Sequence, residues 1–295
     1  MVGRSDAALD RARDAHRAEL ALLSARGLVG KKTDRDVLGK ISLTLEVDGI
    51  ETSATPIVFE AINEDLPAKR DIYRKVETKF GSSCIICSCT SGLAAASLFS
   101  ELEFPGRAIV THFANPPTLM PLVEVVKAPR TSDTTVERVR SLLDALGKRT
   151  ALLGMDLPGH IFNRIQFAML REAIALVRSG AVDPSDLDVI VTQGLALRLS
   201  AEGPIAKMDL AGLELVAVVA DYLFPSLDRS QSADALSELI ASGRTGALSG
   251  AGFLEWTEKQ RAEMIERRAE RVLDVLKLQD NLPNFDGNDD VSCAN

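Results

Sequence analysis

The sequence predicts an α/β protein whose first half is a doubly wound parallel sheet and whose second half is all helix. Three observations predict it. The runs at residues 56–61, 84–88 and 108–111 are nearly continuous and apolar, the mark of strands covered on both faces. A helical stretch separates the first pair and a loop-rich stretch with a short helix separates the second, and strand–helix–strand alternation implies parallel pairing. Beyond Asp156-Leu157-Pro158-Gly159 every patterned segment has helical period.

The elements follow in order. Leu9, Ala12, His16, Leu20 and Leu23 form a helical stripe over residues 6–26, and Gly27 stops it. Asp10, Arg11, Arg13, Asp14 and Arg17 lie largely off the stripe, and His16 reads as a surface or boundary residue. A turn over 27–32 leads to a short helix over 34–41. The helix between the first two strands spans 67–79, and a shorter one lies within 92–102. Thr131-Ser132-Asp133-Thr134 starts a helix with a buried stripe of Val136, Val139, Leu142, Leu143 and Leu146, closed by Gly147. Residues 151–155 make the last strand, and the break at 156–159 marks a domain boundary.

A long helix over 161–177 ends at Gly180, and Asp183-Pro184-Ser185-Asp186 opens the next. Residues 210–223 read as one helix, too apolar all round for a surface element, buried in the domain core or in a subunit interface. Residues 258–278 are a long, charged, amphipathic helix, and the tail from Asp280 reads as disordered. The expected domains are 1–156, 157–280 and a tail over 281–295. No internal repeat is visible.

The composition, 46 % hydrophobic and 26 % charged over 295 residues, is that of a globular protein with one or two sizeable cores. A net charge of −8 with no basic block argues against nucleic acid or an acidic membrane as the main partner. No apolar run approaches the ~18–20 residues of a membrane span, and no secretory leader stands at the N-terminus, so a cytoplasmic setting is expected. Cys84, Cys87 and Cys89 cluster without a second set of ligands. In a strand their neighbours point to opposite faces, so no metal is expected.

Sites in doubly wound sheets lie beyond the carboxyl ends of the strands. Residues 60–64, 88–91 and 112–115 converge there. Among them His112 ends a buried strand and is followed by Asn115, Pro116, Pro117 and Glu124. Histidine suits proton transfer near neutrality, and a folded-back carboxylate could hold its ring in one tautomer. The bland alternative makes His112 a strand-capping residue and Glu124 a solvated charge. By the same plain reading, Lys69 is a helix-surface lysine, Ser91 a helix N-cap and Asn163 a first-turn asparagine.

Taken together, the motifs resemble the 3-hydroxyacyl-CoA dehydrogenase family from about residue 5 to about residue 257. The resemblance rests on Glu60-Ala61-Ile62-Asn63-Glu64-Asp65-Leu66-Pro67-Ala68-Lys69, Ser88-Cys89-Thr90-Ser91, the His112 stretch and Pro158-Gly159-His160-Ile161-Phe162-Asn163-Arg164. It continues through Glu202-Gly203-Pro204, 208–213, 243–246 and Gly252-Phe253. The wording around Asn115 and 121–124 is also similar to the lambda-crystallin and carnitine dehydrogenase branches. The resemblance implies a Rossmann-type domain followed by a helical dimerisation domain. It implies NAD as cofactor, a 3-hydroxyacyl-CoA or related 3-hydroxy acid as substrate, and a homodimer. By the same carry-over, His112 is the general base and Glu124 orients and charge-balances it. Ser91 and Asn163 hold the substrate oxygen, and Glu64, Lys69 and Asn115 line the nicotinamide-ribose side of the cofactor site.

The chain also departs from the family pattern. It has no strand–G-x-G-x-x-G–helix opening, so an N-terminally truncated Rossmann-type domain is expected, with apolar sheet edges exposed. Cys89 stands where the family usually has asparagine, His160 where it has an aromatic or aliphatic residue, and Glu255 where a basic residue often follows. Two functions are therefore expected to compete: an NAD-dependent dehydrogenase, and a non-catalytic remnant acting as a dimerisation or binding module.

Overall fold

The computed structural model describes residues 1–26, 39–52 and 55–278. The chain divides into two compact units, which meet in sequence between Phe162 and Asn163.

In the first unit, helix α1 (Asp6–Ala25) begins where the Ser5 hydroxyl accepts from the Ala8 amide. It buries Leu9, Leu20 and Leu23, as the stripe predicts, while His16 is exposed. The turn over 27–32, most of the helix expected over 34–41, and the tail lie outside the described residues. Strand β1 (Ile57–Glu60) is followed by α2 (Leu66–Phe80), capped by the Asp65 carboxylate on the Ala68 amide at 2.8 Å. Strand β2 (Ile85–Ser88), the short helix α3 (Ala95–Leu98) and strand β3 (Ala108–Phe113) come next.

Strand β4 (Leu122–Lys127) was not anticipated. Its run of valines is interrupted by Glu124, which hides the strand signal. It pairs antiparallel to β3, with His112 opposite Glu124. The short connection decides this, because a parallel partner needs a crossover of about a dozen residues or more. Lys148 donates to the carbonyls of Pro117 and Met120 and pins that connection. Helix α4 (Asp133–Ala145) and strand β5 (Arg149–Leu153) complete the unit. The sheet order is β1-β2-β3-β4-β5, parallel except at β3–β4. β1 is an edge strand, with Phe59 38 % exposed.

Alternation along β2 separates two cores. Cys84 and Ile86 pack with Tyr73, Val76, Leu98 and Phe99 on one side. Ile85 and Cys87 pack with Ile109, Val123, Val125, Val136, Val139 and Leu143 on the other. Two-sided burial explains why the strands read as continuous apolar runs.

The second unit holds α5 (Phe162–Arg178) from Asn163 onward and α6 (Pro184–Ile190), which runs through a π-helical turn into α7 (Ala196–Leu199). Helices α8 (Pro204–Ala211), α9 (Leu213–Leu223), α10 (Asp234–Ala241) and α11 (Glu258–Leu278) follow. The single helix expected over 210–223 is broken at Gly212, whose φ of +89° lies outside helical space. Its burial in the domain core is also corrected: Leu213, Leu215, Val218 and Tyr222 of α9 are exposed. Among the described residues no helix is long and apolar enough to cross a membrane.

Candidate active site

His112 and Glu124 are joined across the β3–β4 pair. The Nδ1 of His112 lies 2.8 Å from Oε2 of Glu124, and both side chains are buried. The other oxygen of Glu124 accepts from the amides of Ile161 and Phe162, at 2.9 and 2.8 Å. An ionised carboxylate only accepts, so in a neutral ring beside it Nδ1 carries the proton and Nε2 the lone pair. This is the tautomer a general base needs. The reading of Glu124 as a solvated charge is therefore overturned.

His160 packs against this pair. Its ring centroid is 5.1 Å from that of His112, with the planes tilted by 50°. It is wholly buried, has a φ of +50°, and approaches the Thr90 carbonyl with Nε2 at 3.4 Å. Its Nδ1 has no partner among the described residues. Burial lowers its pKa, and His112 adds to that. No sequence pattern pointed to it, beyond its standing where the family usually has another residue type.

The loop after β2 grips Glu64. Oε1 of Glu64 accepts from the Thr90 hydroxyl and from the amides of Ser91 and Gly92 at 3.0 and 3.1 Å. Burial alone would raise the pKa of Glu64. The Thr90 hydroxyl, the Lys69 charge and the two amides outweigh it and hold the carboxyl below its ordinary value. Ser91 itself is exposed and serves this loop through its backbone, rather than as a helix cap. Through Thr90, the Glu64 loop and the His112 pair meet at His160.

Lys69 is not a surface lysine: its side chain is 1 % exposed. It donates to Oε1 of Glu60 at 2.7 Å and to the Ile62 carbonyl at 3.3 Å, and stands 3.5 Å from Oε2 of Glu64. Asn115 is exposed on the β3–β4 connection, where its bond to Pro116 is cis. Asn163 begins the second unit directly after Phe162, whose amide Glu124 holds. Burial is the first cause that pushes the Cys89 thiol up to about 11, so it is a protonated neighbour at neutral pH. Sequence reasoning placed Glu60 at the crevice without giving it a role, and missed His160. Glu60 carried a signal in its place at the carboxyl end of a strand.

The chain matches known proteins along both units. Residues 1–156 match the family model described as 3-hydroxyacyl-CoA dehydrogenase, NAD binding domain, and residues 159–256 match its C-terminal domain. The chain is 30 % identical over 273 residues to 5-formyl-3-hydroxy-2-methylpyridine 4-carboxylate 5-dehydrogenase of Mesorhizobium japonicum, covering 92 % of this chain and 87 % of that one. It is 32 % identical over 234 residues to L-carnitine dehydrogenase of Streptomyces griseus, covering 77 % and 68 %. A solved structure of (S)-3-hydroxybutyryl-CoA dehydrogenase from Ralstonia eutropha superposes with a TM-score of 0.69 at 27 % identity, over 88 % of this chain and 90 % of that one.

Proposed function

We propose, from the premise that this chain belongs to the 3-hydroxyacyl-CoA dehydrogenase family, that it oxidises the 3-hydroxyl of a 3-hydroxyacyl-CoA or a related 3-hydroxy acid to the 3-oxo compound. The chain is an NAD-binding oxidoreductase of that family. The observation that carries the finer one is the His112–Glu124 pair, with its carboxylate anchored by two amides.

The residues present fit the nicotinamide end of the cofactor. Glu64 offers a part-exposed, ionised carboxylate as an acceptor for ribose hydroxyls, and its loop meets the His112 cluster. Glu64 and Asn115 would hold that end, with Lys69 acting from behind Glu64. Bound NAD would supply the hydride acceptor. His112 takes the hydroxyl proton on Nε2, and Glu124 balances the imidazolium that forms. Ser91 and Asn163 hold the substrate oxygen. A homodimer formed through the second unit would cover the apolar face of α9, and the cytoplasm is the proposed setting.

The test is a fluorescence titration with NADH, followed by turnover of 3-hydroxybutyryl-CoA, L-carnitine and 5-formyl-3-hydroxy-2-methylpyridine 4-carboxylate. Saturable NADH binding and oxidation of one 3-hydroxy compound are expected. His112→Gln should lower kcat by about two to four orders of magnitude, with NADH affinity little changed. Unchanged turnover in that variant sinks the assignment of the base. No NADH binding and no turnover would leave the binding-module reading.

A further inference from the structure

Behind the part-exposed Glu64 lies a second, fully buried carboxylate. Glu60, at the end of β1, has a side chain 1 % exposed. Its Oε1 accepts from the Lys69 ammonium at 2.7 Å and from the Ile62 amide at 2.8 Å. Its Oε2 accepts from the Tyr73 hydroxyl at 2.6 Å and from the Ser88 hydroxyl at 2.9 Å. A buried carboxylate with both oxygens doubly served, by donors from α2, β2 and its own loop, is a built position.

The order of charges matters. Glu60, Lys69 and Glu64 stand in a row, but the ammonium is not shared evenly. It hydrogen-bonds Glu60 at 2.7 Å and stops 3.5 Å from Glu64. At that distance Lys69 favours the ionised form of Glu64 without closing a hydrogen bond on it. Oε1 of Glu64 is spent on the Thr90–Gly92 loop. Oε2 is left facing the ammonium beyond hydrogen-bond contact, on a side chain 42 % exposed. Were Glu60 neutral, the buried ammonium would have Glu64 as its one carboxylate within ion-pair reach among the described residues, and would close on it.

We propose that Glu60 is a positioning residue: it holds the Lys69 ammonium back, so that one oxygen of Glu64 stays open to a hydroxyl of the bound cofactor. This rests on the reading of Glu64 as a cofactor ligand. Tyr73 from α2 and Cys89 from the end of β2 also face the pair. Burial first, then Glu60, drives the Tyr73 hydroxyl far above its ordinary value, and Cys89 is raised as well, so neither titrates in the acid range. His160, linked through Thr90, does titrate there, but it is common to every variant compared.

The experiment follows the Glu64 carboxyl by carbon-13 NMR in the full chain, assigned with Glu64→Gln, and measures NADH affinity in parallel. Glu60→Gln should lower the Glu64 midpoint, because the ammonium closes on it, and weaken NADH binding about tenfold or more. Glu60→Gln combined with Lys69→Met removes the buried pair together, which spares the fold the cost of one unpaired charge. It should raise the midpoint by roughly a unit. This second variant keeps the proposal testable if the single one does not fold: an unmoved midpoint there would mean that the Lys69 ammonium does not act on Glu64. An unmoved midpoint in the variants that fold overturns the proposal. So does wild-type NADH affinity in Glu60→Gln where Glu64→Gln weakens it. Should Glu64→Gln itself leave NADH affinity unchanged, the cofactor reading of Glu64 fails, and the midpoints alone judge whether Glu60 restrains Lys69.

Discussion

His112 and Glu124 are register partners in an antiparallel strand pair, and their side chains meet at 2.8 Å on the same face of the sheet. Directly opposite residues on neighbouring strands are held about 4.5–5.5 Å apart at the backbone. The carboxylate therefore needs no flexible loop to find the ring. Two amides fix its other oxygen, so ring orientation and tautomer are set by rigid elements.

Replacing Glu124 with Gln should keep a polar group in place but remove the charge that stabilises the imidazolium. We expect kcat to fall by about two to four orders of magnitude while NADH affinity changes little. Steady-state kinetics and an NADH titration check this; a loss confined to KM would contradict it.

His160 should make stability sensitive to acid. Its folded pKa is depressed, first by burial and then by His112. The unfolded chain, with an ordinary value of about 6.5, thus binds the extra proton more readily. Its contribution is whole above that value and is lost as pH falls from there toward the lowered folded pKa. Thermal melts of the wild type and His160→Phe between pH 7.5 and 5 should show a flatter dependence in the variant. Parallel curves would count against this role.

Asp156 secures the start of α3, accepting from the amides of Ala95 and Ala96 at 2.9 and 2.8 Å. Asp156→Ala should cost about 1 kcal/mol, seen as a fall in Tm of roughly 2–4 °C. Calorimetry measures it, and no shift would mean that water replaces the carboxylate without loss.

The exposed apolar residues of α9 set a prediction for assembly. A face of that kind marks an interaction surface. The wild type should run as a dimer in light scattering, and Leu215→Asp with Val218→Asp as a monomer. A monomeric wild type would remove the proposed dimer.

The sequence carries the class of fold, because buried strands and striped helices are local patterns: β2 and β3 are continuous apolar runs, and α1 and α4 carry their own start and stop residues. It also determined the family, through motifs that keep their order along the chain. Strand β4 escaped because Glu124 breaks its apolar run, and the break at Gly212 escaped because glycine is also tolerated inside helices. Contacts between distant residues follow from the three-dimensional packing. The family resemblance already implied that Glu124 orients His112, and the fold supplies the reason: a short connection turns β4 back antiparallel. Lys69 reads as a surface lysine until it is brought with Tyr73 and Ser88 around the Glu60 carboxylate. Burial and partnership of charge depend on what the rest of the chain packs against, and one-dimensional spacing does not carry that information.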